Sequence, residues 1–358
     1  MFFDSAKSFL GTQSSLGVDI GTTSIKIVEI GQGKDKPVLK NYGILETYNH
    51  LERANTAIQT SSLKIAESDT AELLKTLVKQ ARFSTKNVVA SIPSFSAFVT
   101  LFELPKMADS EVSKTMNYQI GQYIPVPLDE VKIEWKKVGE RQDEQGFSKQ
   151  QILLISIPND TVNKYKKIFK LAGLNLSSIE VESQSLIRAA AYDVKEPTLV
   201  VDIGSRSSEI LVVNGGEMKY SYQTDYSSSG FSYAIAKGLG ISVRRADKLK
   251  KERGLLGGDT SELSTLMIPH LDAIINEIKR AKNKYEQIFG NKISFVLLAG
   301  GGSKLLGIDK YFEAKLGLPT ALSNPFSSLE YPSVLEPILK DIGSSFSVAI
   351  GLGLKDLI

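Results

Sequence analysis

Residues 16–30 read LGVDIGTTSIKIVEI, and residues 199–213 read LVVDIGSRSSEILVV. Side by side, the two stretches agree at seven of fifteen positions, including Val18 with Val201, Asp19 with Asp202 and Gly21 with Gly204. Each is an apolar strand that ends in Asp-Ile-Gly and turns back into a second strand. The offset is 183 residues (202 − 19), about half of the 358-residue chain. This spacing predicts a duplicated domain with two related hairpins. Glycine lets each turn tighten, and successive backbone N–H groups in such a turn form an anion-binding concavity. Two such turns across a cleft can clamp the phosphates of a nucleotide and its metal.

The residue types in the turns fit that chemistry. Thr22 and Thr23 add hydroxyl donors, and Lys26 on the returning strand can meet a phosphate as a point charge. Asp19 and Asp202 end their strands, where a carboxylate holds Mg²⁺, usually through water. Gly204 and Ser205 repeat the pattern, while Arg206 either supplies charge or points to solvent. A third glycine-rich turn, Gly300, Gly301 and Gly302 followed by Ser303 and Lys304, joins an apolar strand to an expected helix and leaves bare backbone for a flat ring or a phosphate. Neither the P-loop nor the dinucleotide fingerprint occurs in a strand–turn–helix setting. Gly230, with Asp247 and Lys250 three apart on an expected helix face, is the weakest group; it either contacts a ribose or is a solvated pair.

The bulk composition excludes several classes. Hydrophobic residues make up 42% and charged residues 23%, ordinary values for a globular protein. The net charge of +3 and the lack of a dense basic run give no nucleic-acid footprint. There is no cysteine and only two histidines, so thiolate chemistry is excluded and a histidine-rich metal site is not expected. No apolar run reaches about 18 residues and no cleavable signal is evident, which predicts a cytoplasmic protein. Phe2, Phe3, Ala6, Phe9 and Leu10 fall at helical spacing. They predict a terminal helix packed on the body, or a weak membrane-surface anchor.

The rest of the chain alternates strands and helices, an α/β pattern with a mixed sheet in each half. Strands are expected at 38–45, 88–92, 97–104, 131–138, 151–157 and 295–299. Helices are expected at 68–81, 109–123, 161–171, 183–192, 234–238, 243–252, 263–288 and 305–316, and the chain closes on a small apolar stretch, 346–357. A polar loop is expected at 139–150. From residue 97 the order is strand, helix, strand, strand, a small module inserted into the first half. The expected division is 1–86, first half; 87–158, inserted module; 159–195, rest of the first half; 196–230, start of the second half; 231–292, a helical subdomain; 293–342, rest of the second half; and 343–358, a C-terminal helix returning to the first half.

Together, the Asp-x-Gly-Thr-Thr turn with Lys26 at plus seven, the second Asp-x-Gly hairpin and the late GGGSK turn resemble the actin-like ATPase superfamily. The inserted module, similar to SHS2 modules, narrows the likeness. Leu104-Pro105-Lys106-Met107, the segment YIPVPLDEV at 123–131, LAGGGSKLL at 298–306, Asn324-Pro325-Phe326 and residues 346–355 resemble the PilM family of type IV pilus assembly proteins across essentially the whole chain. The resemblance implies an actin-like fold with ATP and Mg²⁺ in the central cleft. Asp19, Gly21, Thr22, Thr23 and Lys26 would take one phosphate role and Asp202, Gly204 and Ser205 the other. Gly300, Gly301, Gly302 and Lys304 would line the adenosine side, with Gly230, Asp247 and Lys250 near the ribose. The second hairpin lacks the extra glycines of actin-like enzymes with fast turnover, and Glu182 and Gln184 are both candidates to polarise water, so nucleotide binding is better supported than hydrolysis. The family also implies a scaffold at the cytoplasmic face of the inner membrane. Its partner is the N-terminal cytoplasmic tail of a PilN-like membrane protein, held in a groove beside the insert. Through that tail the scaffold connects to PilO and the pilus motor and platform proteins, with self-association possible.

Two other readings stay open. A small-molecule kinase of the same superfamily needs a carboxylate base aimed at an acceptor hydroxyl, and no residue pair singles itself out for it. An FtsA-like cell-division tether carries a C-terminal linker and membrane helix; the stop at Ile358 weighs against that.

Overall fold

The computed structural model describes residues 14–47, 67–256 and 261–357. The helix expected on Phe2, Phe3, Ala6, Phe9 and Leu10 lies outside them.

The first half opens with β1 (Ser15–Ile20), β2 (Ser24–Gly31) and β3 (Val38–Glu46), followed by α1 (Glu67–Ala81) and β4 (Asn87–Ile92). In β1 the five residues 16–20 are all buried, because the strand is covered on both faces. The chain then leaves this half for the inserted module: β5 (Phe98–Pro105), α2 (Asp109–Tyr123), β6 (Val131–Gln142) and β7 (Ser148–Pro158). It returns through α3 (Asn159–Ala172), β8 (Asn175–Val181) and α4 (Glu182–Ala190). The α3 helix stops at Gly173, whose φ of 72° is the left-handed conformation glycine adopts without strain.

The second half repeats the plan. It contains β9 (Thr198–Ile203), β10 (Ser208–Asn214), β11 (Glu217–Thr224), α5 (Ser228–Leu239), α6 (Val243–Arg253), α7 (Glu262–Phe289), β12 (Phe295–Ala299), α8 (Ile308–Leu316) and β13 (Thr320–Leu322). The chain closes with α9 (Glu336–Ile342) and α10 (Ser347–Gly353).

The strand orders are β3-β2-β1-β4-β8 and β11-β10-β9-β12-β13. In both sheets the hairpin is antiparallel and the next two pairings are parallel. The duplication legible in two fifteen-residue stretches therefore extends over both five-stranded sheets. One apolar core lies wholly in the second half, while the other fills the first half and continues into Val200, Leu211 and Val213 of the second. The module has a third sheet, β5-β7-β6, whose inner face packs Ile152 and Leu154 against Val112 and Met116 of α2.

The chain's last helix joins this frame without room to spare. All seven residues of α10 are buried, and it lies between β1 and α4. A Cβ on Gly17 would meet the Ala349 carbonyl oxygen at 2.0 Å, and one on Gly351 would meet the Ser185 carbonyl oxygen at 1.8 Å. Glycine is what allows the backbones to approach this closely.

Three expectations are corrected. The polar loop at 139–150 is mostly strand, with the turn confined to residues 143–147. Its polar residues pair across the ladder, Arg141 donating to Glu103 at 2.5 and 2.8 Å, while backbone bonds hold the strands. The helix expected from Leu305 starts at Ile308, and a short 3₁₀ turn, Gly301–Lys304, precedes it. Gly307 at φ 83° separates the two. The helix expected at 234–238 begins at Ser228, so a serine-rich stretch that reads as loop is its first turn.

Candidate functional site

The cleft between the halves holds a cavity of about 480 Å³, within the usual range for a small-molecule site. It is lined by the tips of both hairpins, the glycine turn, the α5 and α6 side of the second half, and the start of the module.

The first hairpin closes through Gly21 N–H to the Ser24 carbonyl at 3.0 Å, and the second through Gly204 N–H to Ser207 at 3.0 Å. Thr22, Thr23, Ser205 and Arg206 are thereby presented at the turn tips, where all four line the cavity. Further bonds brace each turn. Thr47 N–H donates to Thr23, and the first amides of α5, at Ser228 and Ser229, donate to Gly204 and Ser205.

Asp19 and Lys26 are cross-strand partners, so their side chains share a face. Lys26 Nζ lies 3.0 Å from Asp19 Oδ2. In the second half the same register pairs Asp202 with Glu209, a carboxylate where the first half has a lysine. Glu209 is buried and accepts from Ser94 Oγ at 2.8 Å and Ser221 Oγ at 3.2 Å. Burial, with repulsion from Asp202, pushes its carboxyl up to about 7 against its serine bonds. Burial, then Asp19, pushes Asp202 up to about 6, with Lys26 opposing. Glu182, the first residue of α4, is raised well above the carboxylate range by burial and by Asp19, Asp202 and Glu209, although it accepts Ser94 N–H at 3.2 Å. Asp19, Asp202, Glu182 and Glu209 thus crowd one another where the two hairpins meet.

Glu209 sets a pH dependence. Its folded pKa lies above the unfolded one, so burying it costs nothing below about pH 4.5. The cost grows as pH rises, until it is complete above about 7. A shift of this size corresponds to at most about 3 kcal/mol. Glu209→Gln is expected to raise stability by about 2 kcal/mol at pH 8, and by less than about 1 kcal/mol at pH 5. Urea denaturation at the two pH values checks it; an equal effect at both would reject the assignment.

At the glycine turn Gly300 has φ 80° and ψ 169°, a conformation reserved for glycine. A Cβ there would meet Asp202 Oδ1 at 2.1 Å, and one on Gly302 would meet Ile203 Cγ2 at 2.4 Å. Gly301 has open space. The turn is bare so that it can pass Asp202 and the end of β9. Lys304 pairs with Asp341 at 2.9 Å. Because α8 starts at Ile308, no α-helix N-terminus stands at the glycine turn. Asp247 and Lys250 form a buried pair at 2.8 Å, with Lys251 3.0 Å from the same carboxylate. Burial works against ionisation of Asp247, but the two lysines outweigh it and hold its carboxyl at about 2. Lys250 also donates to the Ser228 carbonyl and to the Ser228 and Ser232 hydroxyls. This ties α6 to α5 beside the cleft.

Two expected site residues lie elsewhere. Gln184 faces a second cavity, of about 460 Å³, beside the module. It sits two residues after Glu182 on α4, and a helical step of about 100° per residue turns it to the other side. Gly230 does not line the cleft; its Cα faces His270, and Ser228 and Ser229 take the cleft side of α5. The remaining candidates, Asp19, Gly21, Thr22, Thr23, Lys26, Asp202, Gly204, Ser205, Asp247, Lys250, Gly300, Gly301, Gly302, Lys304 and Glu182, meet in one cavity. Sequence reading missed Phe95, Ser228, Ser229, Lys251, Asp341 and Ser344, which also line it. The run Ser227–Ser228–Ser229 ahead of an apolar helix was the available signal for two of them.

The model of the family "Type IV pilus assembly protein PilM" matches residues 17–357. Among solved structures, the chain is similar to a PilM–PilN type IV pilus biogenesis complex at 22% identity and TM-score 0.81, covering 97% of this chain and 100% of that one. It is similar to ethanolamine utilization protein EutJ from Carboxydothermus hydrogenoformans at 15% identity and TM-score 0.59, covering 96% and 90%. It is also similar to MreB5 of Spiroplasma citri bound to AMPPNP, at 14% identity and TM-score 0.53, covering 96% and 95%. The fold is that of the actin-like ATPases, with the strand–helix–strand–strand module inserted in the first half.

Proposed function

The chain belongs to the PilM family of type IV pilus assembly proteins, and on that premise we propose that it is a nucleotide-binding scaffold of the pilus inner-membrane assembly platform, or of a related type II secretion platform, holding the N-terminal cytoplasmic tail of a PilN-like membrane protein. The observation that carries the nucleotide half is the pair of braced hairpin turns meeting one cavity with the glycine turn. The resemblance to MreB5, solved with AMPPNP, supports it.

ATP would place its phosphates between Thr22, Thr23 and Lys26 on one side and Gly204 and Ser205 on the other. Its adenosine would lie toward Gly301 and Lys250. The donor set fits Mg²⁺. Burial and the neighbouring Asp19 raise the cost of ionising Asp202, a repulsion that a divalent cation relieves. Among the described residues no three His, Cys, Asp or Glu side chains are arranged to chelate a metal by themselves. Two carboxylates acting through water, with phosphate oxygens completing the shell, suit this ion. Mg²⁺, when bound, supplies charge neutralisation to the phosphates. Of the two candidates to orient water near them, Glu182 lines this cavity and is the one we assign, while Gln184 lines the second cavity.

For the partner, the similar complex contains PilN. The second cavity is walled by β6 and β7 of the module, by β8 and α4 of the first half and by residues 216–218 of the second. Leu153, Ile155, Ile187 and Met218 offer apolar contact, and Glu134, Lys136 and Glu217 offer charge. We assign the tail to this groove. No helix among the described residues is long and apolar enough to cross a membrane. Because the groove touches both halves, nucleotide-dependent closure would reshape it, and the two affinities would be coupled reciprocally.

Trp135 is the chain's only tryptophan and lines the groove. A peptide of the cognate tail is expected to shift its emission saturably, with an affinity that changes when Mg²⁺-ATP is added. A scrambled tail giving the same shift would remove the partner reading. Equal affinity with and without nucleotide would remove closure alone.

A further inference from the structure

The inserted module leaves the first half through a 3₁₀ turn, Ser94–Ser96, between β4 and β5. That turn is held from the cleft. Ser94 donates its amide to Glu182 of the first half and its hydroxyl to Glu209 of the second. The next residue, Phe95, lines the nucleotide cavity, and the guanidinium carbon of Arg206 lies 4.6 Å from its ring centroid. Arg206 is at the tip of the second hairpin, between Ser205 and Ser207, and lines the same cavity. One arginine therefore touches both the place where phosphates would sit and the root of the module.

We propose that Arg206 reads the terminal phosphate of a nucleoside triphosphate and, in doing so, exchanges the ring of Phe95 for phosphate oxygens. This rests on the nucleotide reading above. Arg–phosphate bonds are charge-assisted and often bidentate, whereas a cation–π contact at a half-buried site is the weaker of the two. The exchange therefore runs toward phosphate when a triphosphate is present. A diphosphate lacks the group that draws the arginine away. Release of Phe95 frees the residue after the Ser94 anchor, three positions before β5. In the β5–β7 ladder Val99 pairs with Ile155 and Leu101 with Leu153, and Ile155 and Leu153 line the groove beside the module. A movement at Phe95 reaches that groove through two ladder pairs.

The test is the affinity of the full chain for Mg²⁺-ADP and for a Mg²⁺-bound non-hydrolysable ATP analogue, by calorimetry, with Trp135 emission recorded in parallel. Arg206→Ala is expected to reduce the preference for the triphosphate by about tenfold, with Arg206→Lys restoring part of it. Phe95→Leu is expected to act in the opposite direction. It should tighten the triphosphate by about threefold, because a competitor for the arginine is gone, while removing the triphosphate-specific change in Trp135 emission. If the Arg206–Phe95 pair merely stitched the halves together, both substitutions would weaken binding in parallel; that result, or an Arg206→Ala preference within twofold of the parent, overturns the inference. If the folded parent chain binds neither nucleotide, the nucleotide reading falls and this inference with it. Binding of both nucleotides with the wrong response to substitution overturns the inference alone.

Discussion

Gly300→Ala is expected to lower nucleotide affinity by at least about 100-fold and to cost the fold about 2–5 kcal/mol. Two terms add. The backbone at φ 80° and ψ 169° is a glycine-only conformation, worth about 1–3 kcal/mol against any other residue. The new methyl would sit 2.1 Å from Asp202 Oδ1 and 2.7 Å from the Ile203 carbonyl oxygen. The second of these is backbone at the end of a strand paired to β12 and cannot step aside cheaply. Relief has to come from moving the aspartate or the glycine turn, and both line the site. Gly301→Ala is the internal comparison: open space surrounds it, and its effect on stability is expected to stay below about 1 kcal/mol. Calorimetry and urea denaturation of the pair decide it. Gly300→Ala binding within threefold of the parent would mean that the turn does not position Asp202.

Glu180→Gln is expected to be the more costly half of a buried charge cluster. Glu180 on β8 is buried and accepts two bonds from Arg188, at 2.6 and 3.1 Å, with Lys355 3.6 Å away. Removing the one carboxylate leaves two cations facing each other with little water, a situation that costs about 3–5 kcal/mol when a buried pair is broken. Arg188→Met leaves the Glu180–Lys355 pair intact. Its expected cost is about 1–2 kcal/mol, from the bonds lost to Glu180 and to the Gly351 carbonyl at 2.7 Å. All three charged groups line the groove beside the module, so Glu180→Gln should weaken the tail peptide as well. Chemical denaturation at one pH settles the order; a larger loss for Arg188→Met would show that Lys355 does not share the charge.

Much of this site is legible in the sequence alone. A turn closed by Gly21 and a lysine paired across a ladder with Asp19 both follow from backbone geometry within a few residues. The repeat at an offset of 183 residues marks the second copy. The module's order was legible for the same reason, since 109–123 carries one apolar stripe and two prolines stop it. Its hairpin was less so. Polar side chains at 139–150 read as loop, while the backbone that makes the ladder is common to every residue type.

What was not legible is contributed by residues far apart in the chain. Gln184 and Glu182 differ by two positions and face different cavities, because helix rotation acts on an orientation set by packing against β8 and α10. Phe95 meets Arg206 across 111 residues (206 − 95), and the groove gathers residues from 134 to 355. The sequence by itself determined the duplicated hairpins, the residue types at their turns and the family, since these depend on local periodicity and turn stereochemistry. Which side chains share a cavity, how burial and neighbouring carboxylates raise the proton affinity of Asp202, Glu182 and Glu209, and where the module meets both halves were decided only by the tertiary structure. These depend on how whole faces are buried against one another, a sum over many contacts that no short stretch of sequence carries.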